Sequence, residues 1–149
     1  MSKSSPAARS KARRFALQGL YQMKMSECSA IDVEEQYTQD HDMKRVDTDY
    51  LHELLSGIVK HQEQIDGLIA SKIDRRFDEL DPIETAILRI GTFEMVHRVD
   101  VPWRVVINES VELAHSFGAA ESHRYVNSIL DSIARDHRAV EINKKRWSG

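Results

Sequence analysis

The 149-residue chain is expected to fold as an all-α protein, and three features of its sequence say so. Each of its three prolines stands where a helix can begin. Apolar residues recur at steps of three and four, the spacing that puts them on one side of a helix. No segment alternates strictly between apolar and polar residues, as a half-buried strand would. We therefore expect a strand-free single domain, residues 1–149, of about seven helices. A chain of this size buries roughly 68–70% of its unfolded surface, enough for a core without metal or disulfide.

The elements follow in order. Ser5-Pro6 reads as a cap and first helical position. The helix it opens should run from about 6 to 25, with Ala12, Phe15, Ala16, Gly19, Leu20 and Met23 inward. A shorter helix is expected over 31–38. Another covers 48–61, with Tyr50, Leu51, Leu54, Leu55, Ile58 and Val59 inward, and a fourth piece covers 64–73. Asp81-Pro82-Ile83-Glu84 is a strong helix start: Asp81 caps, Pro82 presets φ and Glu84 answers the cap from the third position. The helix over 82–96 is apolar nearly all round and belongs in the centre. Pro102 opens the next, to 117, where Gly118 is expected to close it in a left-handed conformation. Val101–Ile107 is rich in branched residues, but its apolar pattern continues at helical spacing to Phe117. The last helix should span 120–135, with Tyr125, Val126, Ile129, Leu130 and Ile133 along one side. Lys144-Lys145-Arg146 is a second small basic cluster, which a frayed tail explains equally well.

Charge is unevenly spread. The net charge is −3, yet the first fourteen residues hold five bases and no acid: Lys3, Arg9, Lys11, Arg13 and Arg14. A positive patch on a folded element attracts polyanions whatever the overall charge, and RNA is the first ligand to consider; a solvated helix end is the competing reading. From Glu27 to Glu53 nine acids face only Lys44 and Arg45, which suggests a second surface suited to a basic partner. His123-Arg124-Tyr125 combines an imidazole, a planar cation and an aromatic ring near a helix start. Unstacked RNA bases favour such platforms, although a core tyrosine beside a solvated arginine would give the same triplet.

Catalytic and metal chemistry find no foothold. The seven histidines form no HExxH pair, and His115 and His123 are a weak ligand pairing. There is no phosphate-binding glycine loop and no GxSxG elbow. Cys28, the lone cysteine, makes neither an internal disulfide nor a four-cysteine site, and a reducing compartment is the simpler setting. No apolar run approaches the roughly 20 residues needed to span a bilayer, and the basic start lacks a signal-peptide core. A cytoplasmic, non-enzymatic protein with no cofactor is expected. Asn108, Glu109 and Asn127 interrupt apolar helices; either they are hydrogen-bonded inside and fix how the last helices meet, or they are exposed.

Several segments, in order, resemble one family along nearly the whole chain. They are Pro6-Ala7-Ala8-Arg9 through Arg13, Gln18-Gly19-Leu20-Tyr21-Gln22 and Ile83 to Gly91. Then come Val101-Pro102-Trp103-Arg104 to Glu109, Glu112-Leu113-Ala114-His115-Ser116-Phe117-Gly118, and His123-Arg124-Tyr125-Val126-Asn127 to Asp131. Together they resemble the bacterial NusB family of transcription antitermination factors. The resemblance implies two packed three-helix bundles without catalytic activity. It also implies a heterodimer with ribosomal protein S10 (NusE) that recognises boxA single-stranded RNA and joins the RNA polymerase elongation complex with other Nus factors, notably on ribosomal RNA operons. The family's arginine-rich start maps to Arg9, Lys11 and Arg13, its late aromatic to Tyr125, and its S10-facing surface to Tyr21, Glu84 and Glu121. With the neighbouring Arg14, His123 and Arg124, these complete the expected RNA and partner surfaces. Ser128 replaces the usual glycine after Val126-Asn127. A role in ribosome biogenesis, or as a homodimeric interaction module, is the alternative.

Overall fold

The computed structural model describes residues 4–148, with side chains described through residue 144. Lys3 and the side chains of Lys145 and Arg146, which the sequence places in basic clusters, lie outside the described residues. Those described form eight α-helices and one 3₁₀ turn, arranged in two compact units that meet at His61 and Gln62.

The first unit holds α1 (Pro6–Ser26), α2 (Ala30–Asp40) and α3 (Thr48–Lys60), with α1 packed on both others. Ser5 Oγ accepts the Ala8 N–H, as its position before Pro6 predicts. Ser29 and Asp32 make a capping box at α2, and Asp47 caps α3 by accepting the Tyr50 N–H. Leu17, Leu54, Leu55 and Ile58 are fully buried, with Phe15, Tyr37 and His41 as an aromatic cluster beside them. Val59 is exposed, outside the stripe expected for it.

The second unit begins with α4 (Gln62–Ala70) and the 3₁₀ turn Phe77–Glu79. It continues with α5 (Pro82–His97), α6 (Trp103–Phe117), α7 (Ser122–His137) and α8 (Ala139–Ser148). Helices α5, α6 and α7 each pack on the other two; α4 lies on α5 and α7, and α8 on α7. Two three-helix groupings are thus present, with α4 and α8 added. As its composition predicts, α5 is buried almost all round. Gly91 lies where its three helices meet: a Cβ there would stand 2.7 Å from Leu130 Cδ1 and 2.9 Å from Ser110 Oγ.

Two expectations are corrected and one open alternative is decided. Gly118 ends α6 in extended backbone (φ −93°, ψ 176°), not left-handed; among the described residues it is Glu27 that is left-handed, at φ 53° after α1. Glycine is still required at 118, because a Cβ would meet the Ala114 carbonyl at 2.8 Å. Where the sequence allows a frayed tail, the chain forms α8. Arg138, buried before it, donates to the carbonyls of Glu94, Met95, Arg98 and Val101 and to Glu141. Glu141 in turn accepts the Trp103 N–H at 2.9 Å, giving α6 the cap that Pro102 cannot supply. Finally, Asn108 and Asn127 are exposed and Glu109 is half-buried. Both asparagines lie off the stripes of Val106, Leu113, Val126 and Leu130, and the buried polar side chains of these two helices are Ser110 and Ser122, with Thr85, Thr92 and Glu94 those of α5.

Candidate nucleic-acid interface

The first half of helix α1 sorts its four cations by angle. Arg13 lies at the i, i+3, i+4, i+7 spacing of Ala16, Leu17 and Leu20, which is the buried stripe. It is accordingly only 2% exposed, with its guanidinium 5.5 Å from the centre of the Tyr50 ring. Arg9, one turn earlier on that face, lies over the same ring at 4.6 Å. Its Nε stands 3.7 Å from Asp47 Oδ2, an ion pair without a hydrogen bond. Lys11 and Arg14 point the other way and are exposed. Neither has an acidic partner among the described residues. Positive charge on the first half of α1 thus reaches solvent mainly through Lys11 and Arg14, while Arg9 and Arg13 are spent largely on α3.

The second candidate surface is the start of α7, in the other unit. Tyr125 is half-buried, its hydroxyl enclosed without a well-formed hydrogen bond, and burial pushes that hydroxyl's pKa up. One face of its ring is covered by Arg75, whose Cζ lies 4.7 Å from the ring centre. Arg124 is exposed and pairs with Glu121 at 3.4 Å. His123 stacks on His115, ring centres 4.1 Å apart. No third ligand joins the two histidines: among the described residues no group of three His, Cys, Asp or Glu side chains is placed to hold a metal ion.

Of the expected partner-facing residues, Tyr21 is 40% exposed on α1, and Glu121 is exposed at the start of α7. Glu84 is half-buried and fixed, accepting a 2.8 Å hydrogen bond from Ser122 Oγ. The acid-rich stretch from Glu27 to Glu53 is partly consumed inside its own unit. Asp32 completes a cap, Glu34 pairs with His52, and Asp47 caps α3 and faces Arg9.

Sequence reasoning singled out Tyr125 but not Arg75. The Arg75-Arg76 pair was visible, yet nothing in the spacing of a loop places it over a ring fifty residues later. Nor did the sequence separate Arg13 from Lys11, although Arg13's phase with Leu17 and Leu20 was there to be read.

The NusB family model matches residues 10–135. The chain belongs to the NusB family. The transcription antitermination protein NusB of Alcanivorax borkumensis is 46% identical over 143 residues, covering 96% of this chain and 95% of that protein. That of Marinomonas sp. is 49% identical over 140 residues, covering 93% and 80%. The solved T. maritima NusB structure superposes with a TM-score of 0.78 at 27% identity, covering 87% of this chain and 92% of that one. As a NusB family member the chain is a non-catalytic, RNA-binding regulator of transcription antitermination. No helix among the described residues is long and apolar enough to cross a membrane.

Proposed function

We propose that this NusB family member pairs with ribosomal protein S10 (NusE) and holds boxA-type single-stranded RNA of nascent transcripts, notably those of ribosomal RNA operons. In the cytoplasm the complex joins elongating RNA polymerase with other Nus factors and suppresses premature termination. The observation that carries the RNA side is the exposure of Lys11 and Arg14 on a capped helix, without acidic partners among the described residues. Such cations are free to replace the counterions of a phosphate chain. Arg9 flanks them, Arg13 supports them from beneath, and His123, Arg124 and Tyr125 supply a stacking and hydrogen-bonding surface on α7. Tyr21, Glu84 and Glu121 are the contacts offered to the basic S10, with Glu84 held in place by Ser122.

The test is a titration with boxA RNA and with a scrambled RNA, each with and without S10. BoxA should bind more tightly than the scrambled strand, and S10 should widen the difference, because two joined surfaces raise each other's effective concentration. Equal affinity for both RNAs in the presence of S10 would overturn the proposal.

A further inference from the structure

Arg75 lies between α4 and the 3₁₀ turn, outside every segment that suggested the family. Its Nε donates to Asp74 Oδ1 at 3.1 Å, and its guanidinium stands 4.7 Å over the Tyr125 ring. The Arg75 side chain is 43% exposed, while the ring beneath it is half-buried. The guanidinium is therefore the outer layer of the pair. Arg76 beside it differs: Asp78 and Glu79 hold it at 3.2 and 3.1 Å, and no ring backs it among the described contacts.

A cation in this setting has two possible uses toward RNA, and its surroundings separate them. A phosphate contact would bring negative oxygens close to Asp74 and Glu84, both of which act electrostatically on Arg75. It would also compete with Asp74 for the guanidinium edge. A base contact meets neither obstacle, since a base is uncharged and approaches the face of the plane rather than its edge. Guanidinium planes are weakly hydrated and stack on π-systems. One already seated over a ring and held at one edge by a carboxylate loses little freedom when a base arrives.

We propose that Arg75 and Tyr125 form a two-layer platform: an unstacked RNA base lies on the outer face of the Arg75 guanidinium, and the Tyr125 ring behind keeps that plane in place. Arg75 is thus a base-contacting residue, and Tyr125 works through it. This inference rests on the RNA-binding reading above.

The experiment measures boxA RNA affinity across a range of salt for the full chain and for Arg75→Lys, Arg75→Ala and Tyr125→Leu. Thermal unfolding checks that each variant folds. Lysine keeps the charge but has no plane, so Arg75→Lys should weaken binding about fivefold to hundredfold, as loss of one stacked base does, with the salt slope unchanged. Arg75→Ala and Tyr125→Leu should weaken it comparably. An RNA carrying an abasic site at the stacked position should bind the unmodified chain more weakly by the same factor and leave Arg75→Lys indifferent. Lysine binding as well as arginine would overturn the proposal. So would tighter binding by Arg75→Ala, which would make Arg75 a mere cover, or a slope reduced by ~0.7, which marks a phosphate contact. Failure of the unmodified chain to bind boxA RNA overturns the functional reading as well; binding that ignores Arg75 overturns this inference alone.

Discussion

Arg138 Nε donates a 2.8 Å hydrogen bond to the carbonyl of Met95, forty-three residues earlier. The same guanidinium takes the carbonyls of Glu94, Arg98 and Val101, so one side chain closes the C-terminal end of α5 and the turn into α6. Helix ends leave carbonyls without partners, and here buried arginine supplies the donors. Arg138→Ala should leave several of those carbonyls short of donors and cost about 3 kcal/mol or more. Thermal unfolding should show a fall of roughly 6–12 °C for a chain of this length. Arg138→Lys, with fewer donors and no fork, should recover only part of the loss.

Gly91→Ala should also destabilise, by about 1–3 kcal/mol, because its methyl group must enter space held by Leu130 and Ser110 at the α5, α6 and α7 junction. Denaturant unfolding of Gly91→Ala beside Gly67→Ala makes the comparison. A Cβ at Gly67 meets nothing within 4 Å, so that change should be neutral or stabilising. Equal effects would mean the junction has slack that its geometry does not show.

The four cations in the first half of α1 should divide into two classes. Lys11→Ala and Arg14→Ala should each flatten the dependence of log affinity on log salt for single-stranded RNA by ~0.7 and leave thermal stability nearly unchanged. Arg13→Ala should lower the unfolding midpoint, because it empties a buried site against Tyr50. An Arg13 variant with an unaltered midpoint and a flattened slope would show that its guanidinium reaches RNA.

His52 Nδ1 lies 3.0 and 3.1 Å from the two Glu34 oxygens, joining α3 to α2. The hydrogen bond to Glu34 raises the His52 pKa above its ordinary 6.5. The stabilisation is therefore complete below the unfolded pKa and disappears as pH rises through the folded one. The unfolding midpoint of His52→Gln should fall further below that of the parent at about pH 5.5 than at about pH 8.5. The effect should be small, because the imidazole is largely solvent-exposed. A gap that widens with rising pH would refute the assignment.

The all-helical fold was legible because capping and periodicity are local. Ser5-Pro6 and Asp81-Pro82 begin their helices where chain chemistry requires, and α5 is as enclosed as its apolar composition demands. Arg138 and α8 were not legible. A charged residue before a basic tail looks solvated until the carbonyls it serves are known, and those lie some forty residues back along the chain. At the candidate site, Tyr125 stood out through residue type. Arg75 did not, since its partner is fixed by tertiary packing. The burial of Arg13 was missed for a subtler reason. Counting bases in a window ignores rotation, and one step of 100° separates a cation facing water from one facing Leu17 and Leu20.

The near-complete enclosure of α5 sets the order in which the second unit lets water in. Amide protons of residues 86–95 should be among the slowest there to exchange with deuterium, because releasing them requires α6 and α7 to part together.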